Sequence, residues 1–112
     1  MHDRHSAYFA TALAGWATAL RGERQLAALG ELETEFGNVR AAWQWALAQG
    51  EIERIDESLE GIALFYDWRG DCQQGESLCQ GAVERLRIFL GAAERRLLVR
   101  LLAWQSRFSQ ML

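Results

Sequence analysis

Apolar residues along this chain recur at helical spacing. Tyr8, Phe9, Ala12, Leu13, Trp16, Ala17 and Leu20 form a wide stripe at i, i+4, i+8, which predicts a first helix over residues 3–20. Asp3 suits the positive end of that helix, and Arg21-Gly22 breaks it. Leu26, Leu29 and Leu32 share a face of a second helix over residues 23–35. Gly37-Asn38 interrupts it, and Asn38 is a good N-cap for a third helix through Val39, Ala42, Trp43, Ala46 and Leu47. A single helix over residues 23–49 is the alternative; the break is favoured because adjacent Gly and Asn make a better boundary than an interior.

Beyond Gln49-Gly50, a fourth helix carries Ile52, Ile55, Leu59, Ile62, Ala63 and Tyr66. Leu64, Phe65 and Trp68 add apolar surface on its other sides, so this helix should pack against neighbours on more than one side. Gly70-Asp71 marks a turn. Asp71 can cap a fifth helix running to about residue 90, with Leu78, Ala82, Val83, Leu86, Phe89 and Leu90 inward. Gly91 separates a sixth over residues 92–110, rich in Leu97, Leu98, Leu101, Leu102, Trp104 and Phe108. Period-2 alternation of β-branched residues is missing, so the expected class is all-α with about six helices.

The stretch over residues 62–82 reads as helix, tight turn, helix, with Ala63, Tyr66, Gly70, Gly75, Cys79 and Ala82 where two antiparallel helices must touch. A shift of 34 residues aligns Leu29 with Ala63 and Leu97, Ala41 with Gly75, Trp45 with Cys79, and Phe36-Gly37 with Gly70-Asp71. That period is the tetratricopeptide length. The expected architecture is therefore antiparallel helix hairpins stacked as a tetratricopeptide-like right-handed solenoid. Such repeats bury their faces only against neighbours. In this register both ends are open, which predicts a single helical domain, 1–112, cut from a longer protein or covered by a second copy. Gly15, Gly30, Gly61, Gly75 and Gly81 fall inside predicted helices, where each costs about 1 kcal/mol relative to Ala; close helix–helix approach is the expected reason.

Composition agrees. The 112 residues contain no proline and are half apolar, enough for a core. A net charge of −3 with interspersed signs gives no dominant basic face, so direct nucleic-acid binding is not expected. Glu94-Arg95-Arg96 with Arg100 and Arg107 reads as a solvated helix face. The apolar runs are too short for a membrane span and no signal peptide opens the chain, which points to the cytoplasm. Cys72 and Cys79, seven apart on one helix, lie about 10 Å apart, too far for a mutual disulfide. They read as small apolar groups, and no ligand spacing joins them to His2 and His5 in a metal site.

No catalytic constellation stands out, and no cofactor is implied. Ser6, Ser58, Ser77, Ser106 and Ser109 lack a nucleophile-elbow context, and Glu31/Glu35 and Glu53/Glu57 read as solvent-facing charges. The better candidate is a surface. In a tetratricopeptide-like hairpin the first helix lines the concave groove. That side carries Glu57, Glu60, Leu64, Asp67 and Trp68, joined by Glu23, Leu26 and Glu33. Carboxylates around Leu and Trp suit a basic or amphipathic peptide, with Trp as anchor. The plainer alternative is that Trp68 packs on a neighbouring helix and the acids confer solubility. A second candidate is a homodimer face of Leu98, Leu101, Leu102, Trp104 and Phe108 on the last helix.

Three groups of residues resemble a known family: Arg4-His5 followed by Tyr8-Phe9; Leu29, Leu32, Glu35, Asn38, Val39, Arg40, Ala41, Ala42, Trp45, Ala46 and Gly50; and Arg69-Gly70 followed by Gly75-Glu76. Over roughly residues 4–90 they are similar to the tetratricopeptide-like helical region of large bacterial signal-transduction ATPases and LuxR-type transcription regulators. Trp43 stands where Leu is usual. The resemblance implies a non-enzymatic protein–protein interaction, sensor or scaffold role, with an inducer, a partner protein or other domains of the parent protein as ligand. This chain has no GxxxxGK[ST] phosphate loop, so nucleotide hydrolysis is not expected of it.

Overall fold

A computed structural model describes residues 2–87 and 91–112. Five helices follow in order: α1 (His2–Leu20), α2 (Gln25–Gln49), α3 (Ile52–Arg69), α4 (Cys72–Leu86) and α5 (Ala92–Met111). No strand occurs among the described residues. The expected inward placement of Phe89 and Leu90 lies outside them.

Two helix ends follow directly from glycine. Gly50 and Gly70 both adopt a left-handed φ of 69°, which costs an L-residue with a Cβ but not glycine. At α2 the Gly50 N–H donates to the Leu47 carbonyl at 3.2 Å and the Glu51 N–H to Ala46 at 2.9 Å. At α3 the Gly70 N–H donates to Asp67 at 3.1 Å and the Asp71 N–H to Tyr66 at 2.9 Å. Both are Schellman motifs, which satisfy carbonyls the helix leaves orphaned.

The predicted break at Gly37-Asn38 is absent: α2 is one helix of 25 residues. Asn38 caps nothing; its amide donates to Glu35 within the helix at 3.1 Å. Tertiary packing overrides the local signal. Ala28, Leu32, Val39, Ala42, Trp43 and Ala46 are buried along one unbroken helical phase, and Phe36 stacks on Phe65 of α3 at 4.5 Å between ring centroids. Burying several such side chains at roughly 1.5–3 kcal/mol each outweighs about 1 kcal/mol for a helical glycine. The first turn of the 34-residue register is therefore not formed, and five helices replace six.

The chain divides into two compact units, residues 1–65 and 66–112. In the first, α1 and α2 run antiparallel: Trp16 meets Glu31, and the Ser6 hydroxyl donates to the Ala42 carbonyl at 3.4 Å. The opening part of α3 crosses α1 at Gly61, where an added Cβ would stand 2.6 Å from the Leu13 carbonyl oxygen. Arg54 ties all three helices, pairing with Asp3 at 2.6 Å and lying 5.6 Å over the Trp45 ring. In the second unit α4 and α5 run antiparallel, with Gly75 against the Phe108 ring.

Close approach thus accounts for Gly61 and Gly75 but not for Gly15, Gly30 or Gly81, where a Cβ would meet nothing within 4 Å. The same openness holds at Gly37. Gly30→Ala and Gly37→Ala should therefore each raise stability by about 0.5–1 kcal/mol, near-additively, by relieving backbone entropy at exposed helical positions. Urea denaturation followed by circular dichroism checks this; a loss at Gly37 would mean α2 needs a glycine there.

Candidate functional site

In the first unit the predicted acidic groove is reshaped by burial. Leu64 is only 8% exposed, within a stretch of α3, Gly61 to Phe65, that is buried at every residue. It is core, and the expectation that it lines an open groove is corrected. Glu60 is half-buried and paired with Arg21 of the α1–α2 connection. Glu57 remains exposed. Glu23 is exposed in the connection before α2, and Glu33 is exposed on α2. Leu26 does not share the buried face of Leu32; it is 83% exposed, on the outward side of α2.

This unit carries ten carboxylate side chains against five arginines, a net of −5. Two acids already hold internal roles. Glu31 accepts the Trp16 indole N–H at 3.0 Å, and Asp3 accepts from Arg54, a hydrogen bond that raises the Arg54 pKa further above its ordinary value. Between α1 and α2 an open groove of about 270 Å³ is lined by small residues (Ala12, Ala19, Ala28) with Trp16, Arg24 and Glu31. Sequence reasoning missed it, although small residues at i and i+7 around Trp16 were a legible sign.

In the second unit Trp68 is 49% exposed. Asp67 is half-buried and accepts two hydrogen bonds from Arg107 of α5, Nε to Oδ1 at 3.3 Å and Nη2 to Oδ2 at 3.1 Å. That hydrogen bonding, with the carboxylate charge, raises the Arg107 pKa. Asp67 therefore anchors α5 within its own unit.

The expected homodimer face is also redrawn. Leu101 and Phe108 are fully buried with Leu97, on the side of α5 that packs on α4. Leu98 and Trp104 are half-buried, and Trp104 stacks on Phe108 at 5.8 Å. Of the five residues only Leu102 is largely open, at 49%, and it is joined by Val99 at 67%, which the sequence reading passed over. An open groove of about 490 Å³ runs beside them between α4 and α5, lined by Gln80, Val83, Glu84, Arg87 and the α5 residues Leu102 and Ser106.

The remaining reactive groups serve the fold. Cys72 and Cys79 are free and buried, and burial pushes the Cys79 thiol up to about 12, so it stays protonated and inert at neutral pH. The buried Ser58 hydroxyl donates to the Arg54 carbonyl at 2.6 Å, and the Ser109 hydroxyl to Glu76. His5 packs edge-on to Phe9 at 4.8 Å. Among the described residues no three His, Cys, Asp or Glu side chains converge as metal ligands, and no helix is long and apolar enough to cross a membrane. Comparison of the chain with protein-family models, with curated proteins and with solved structures found no match in any of the three.

Proposed function

We propose that the chain is a non-enzymatic, tetratricopeptide-like interaction module, acting as sensor or scaffold in a bacterial transcription regulator or signalling ATPase. Its first unit would engage a basic, amphipathic protein segment. One observation carries the reading: Leu26, 83% exposed, projects from a unit with twice as many carboxylates as arginines. An apolar side chain left in water gains most from a partner, and the unit's exposed carboxylates, Glu23 and Glu33 on the same stretch of chain as Leu26 and Glu57 on α3, attract cations and speed their encounter. Trp68 offers the second unit an aromatic anchor of its own.

Calorimetric titration with an arginine- and leucine-rich amphipathic peptide tests this. Binding should weaken with salt, and Leu26→Ala should weaken it about tenfold or more with the helical circular dichroism unchanged. No binding, or binding indifferent to Leu26→Ala, sinks the first-unit site. The regulator assignment has its own check in the coding sequence on either side, where an upstream GxxxxGK[ST] loop is expected.

A further inference from the structure

Helix α2 turns to water a face whose centre is free of charge. Ala27, Gly30, Thr34, Gly37, Ala41 and Gln44 recur at alternating spacings of three and four, so they form one line along the helix, and all six are exposed. None is charged, in a unit where carboxylates outnumber arginines two to one. Charge stands on the borders of the line: Glu31 on one side, and Glu33 and Arg40, between Leu26 and Leu47, on the other. A neutral centre with a charged rim is the anatomy of a contact surface. Two of the six are glycines, which weaken a helix, and a Cβ on either would meet nothing within 4 Å. Close approach of a second helix accounts for them, because the side chains at a crossing set how near two helix axes can come.

We infer that this face receives α2 of a second copy of the chain, antiparallel about a two-fold axis that passes between Glu35 and Phe36 in height. In that register Thr34 stands level with Gly37 of the other copy, Gly30 with Ala41, and Ala27 with Gln44. An antiparallel two-fold keeps each border on its own side, so the border of Leu26, Glu33, Arg40 and Leu47 meets itself reversed. Glu33 then lies about 3 Å along the axis from Arg40 of the other copy, and Leu26, 83% exposed, at the same offset from Leu47. The two-fold makes each contact twice. The charges select this register. A slip of one heptad in one direction sets Glu33 against Glu33, and in the other Arg40 against Arg40. A parallel pairing sets Glu33 against the opposite border at Asn38, which has no charge to offer. The inference goes beyond the basic-segment reading of this unit: Leu26 enters both, whereas Gly37 enters this one alone.

Sedimentation equilibrium on the whole chain, up to about 0.5 mM, gives the test. The mass should rise with concentration towards that of a dimer. Gly37→Gln should weaken association about tenfold or more, because the longer side chain wedges the two helices apart. It points into open space in the single chain, so the helical circular dichroism should persist. Arg40→Glu should also weaken association, and Arg40→Glu combined with Glu33→Arg should restore it, a rescue that a merely structural role would not produce. A mass that stays monomeric throughout overturns the inference. So does a dimer indifferent to Gly37→Gln, a charge swap that fails to restore association, or a dimer lost instead on Leu102→Glu, which would sit on α5. A monomer that still binds the basic peptide removes this inference alone; a dimer whose Gly37→Gln variant ignores the peptide removes the earlier reading alone.

Discussion

Phe108→Ala is expected to cost the second unit about 3–5 kcal/mol. Phe108 is fully buried, stacks on Trp104 at 5.8 Å and presses on Gly75, where a Cβ would stand 2.6 Å from its ring carbons. Removing the ring forfeits its transfer free energy and leaves a cavity that the glycine opposite cannot fill. Domain stabilities run at about 5–15 kcal/mol, so the loss is a large share of the total. Gly75→Ala in the parent should also destabilise, because the ring is enclosed and has nowhere to rotate. Combining the two changes should cost less than their sum, since the new methyl occupies space the ring vacates. Urea titration of the four proteins measures the coupling. Strict additivity, or a loss below about 1 kcal/mol for Phe108→Ala, would show that the ring does not hold α4 to α5.

Gly61→Ala is expected to destabilise the first unit by about 1–3 kcal/mol, although alanine is the better helix former. The obstacle is backbone: the added carbon would sit 2.6 Å from the Leu13 carbonyl oxygen and 3.0 Å from the Leu13 Cδ2. A carbonyl oxygen has no rotamer to adopt, so α1 and α3 must move apart. Leu13→Ala removes the side chain but not the oxygen, and should therefore fail to rescue Gly61→Ala. This separates the site from Gly75, whose neighbour is a side chain. The same substitution at Gly30 or Gly37 should stabilise. A gain at Gly61 would mean the two helices are not in van der Waals contact there.

The candidate surfaces were legible in part. Glu23, Leu26, Glu33 and Glu57 of the first unit and Trp68 of the second are exposed. Leu64, Leu101 and Phe108 are core. Hydropathy alone does not separate them: Leu26 and Leu64 are the same side chain, and Leu101 and Leu102 are adjacent. Val99 escaped notice because it lies off the buried stripe of α5. Glu60 and Asp67 looked like free groove charges, yet each meets an arginine from a distant stretch of chain, 39 and 40 residues away.

What local chemistry settles is visible before any folding. The 3.6-residue period, the absence of proline and the glycines at 50 and 70 specify helices and two of their ends, since backbone torsion is a property of a residue and its immediate neighbours. What depends on the company a segment keeps is not visible there. The continuity of α2 through Gly37 comes from Phe36 and Val39 finding cover, at a gain larger than the local cost of a helical glycine. Which apolar face of α5 becomes core and which stays open is likewise set by where α4 lies, and that choice leaves Val99 and Leu102 as a surface available for contact.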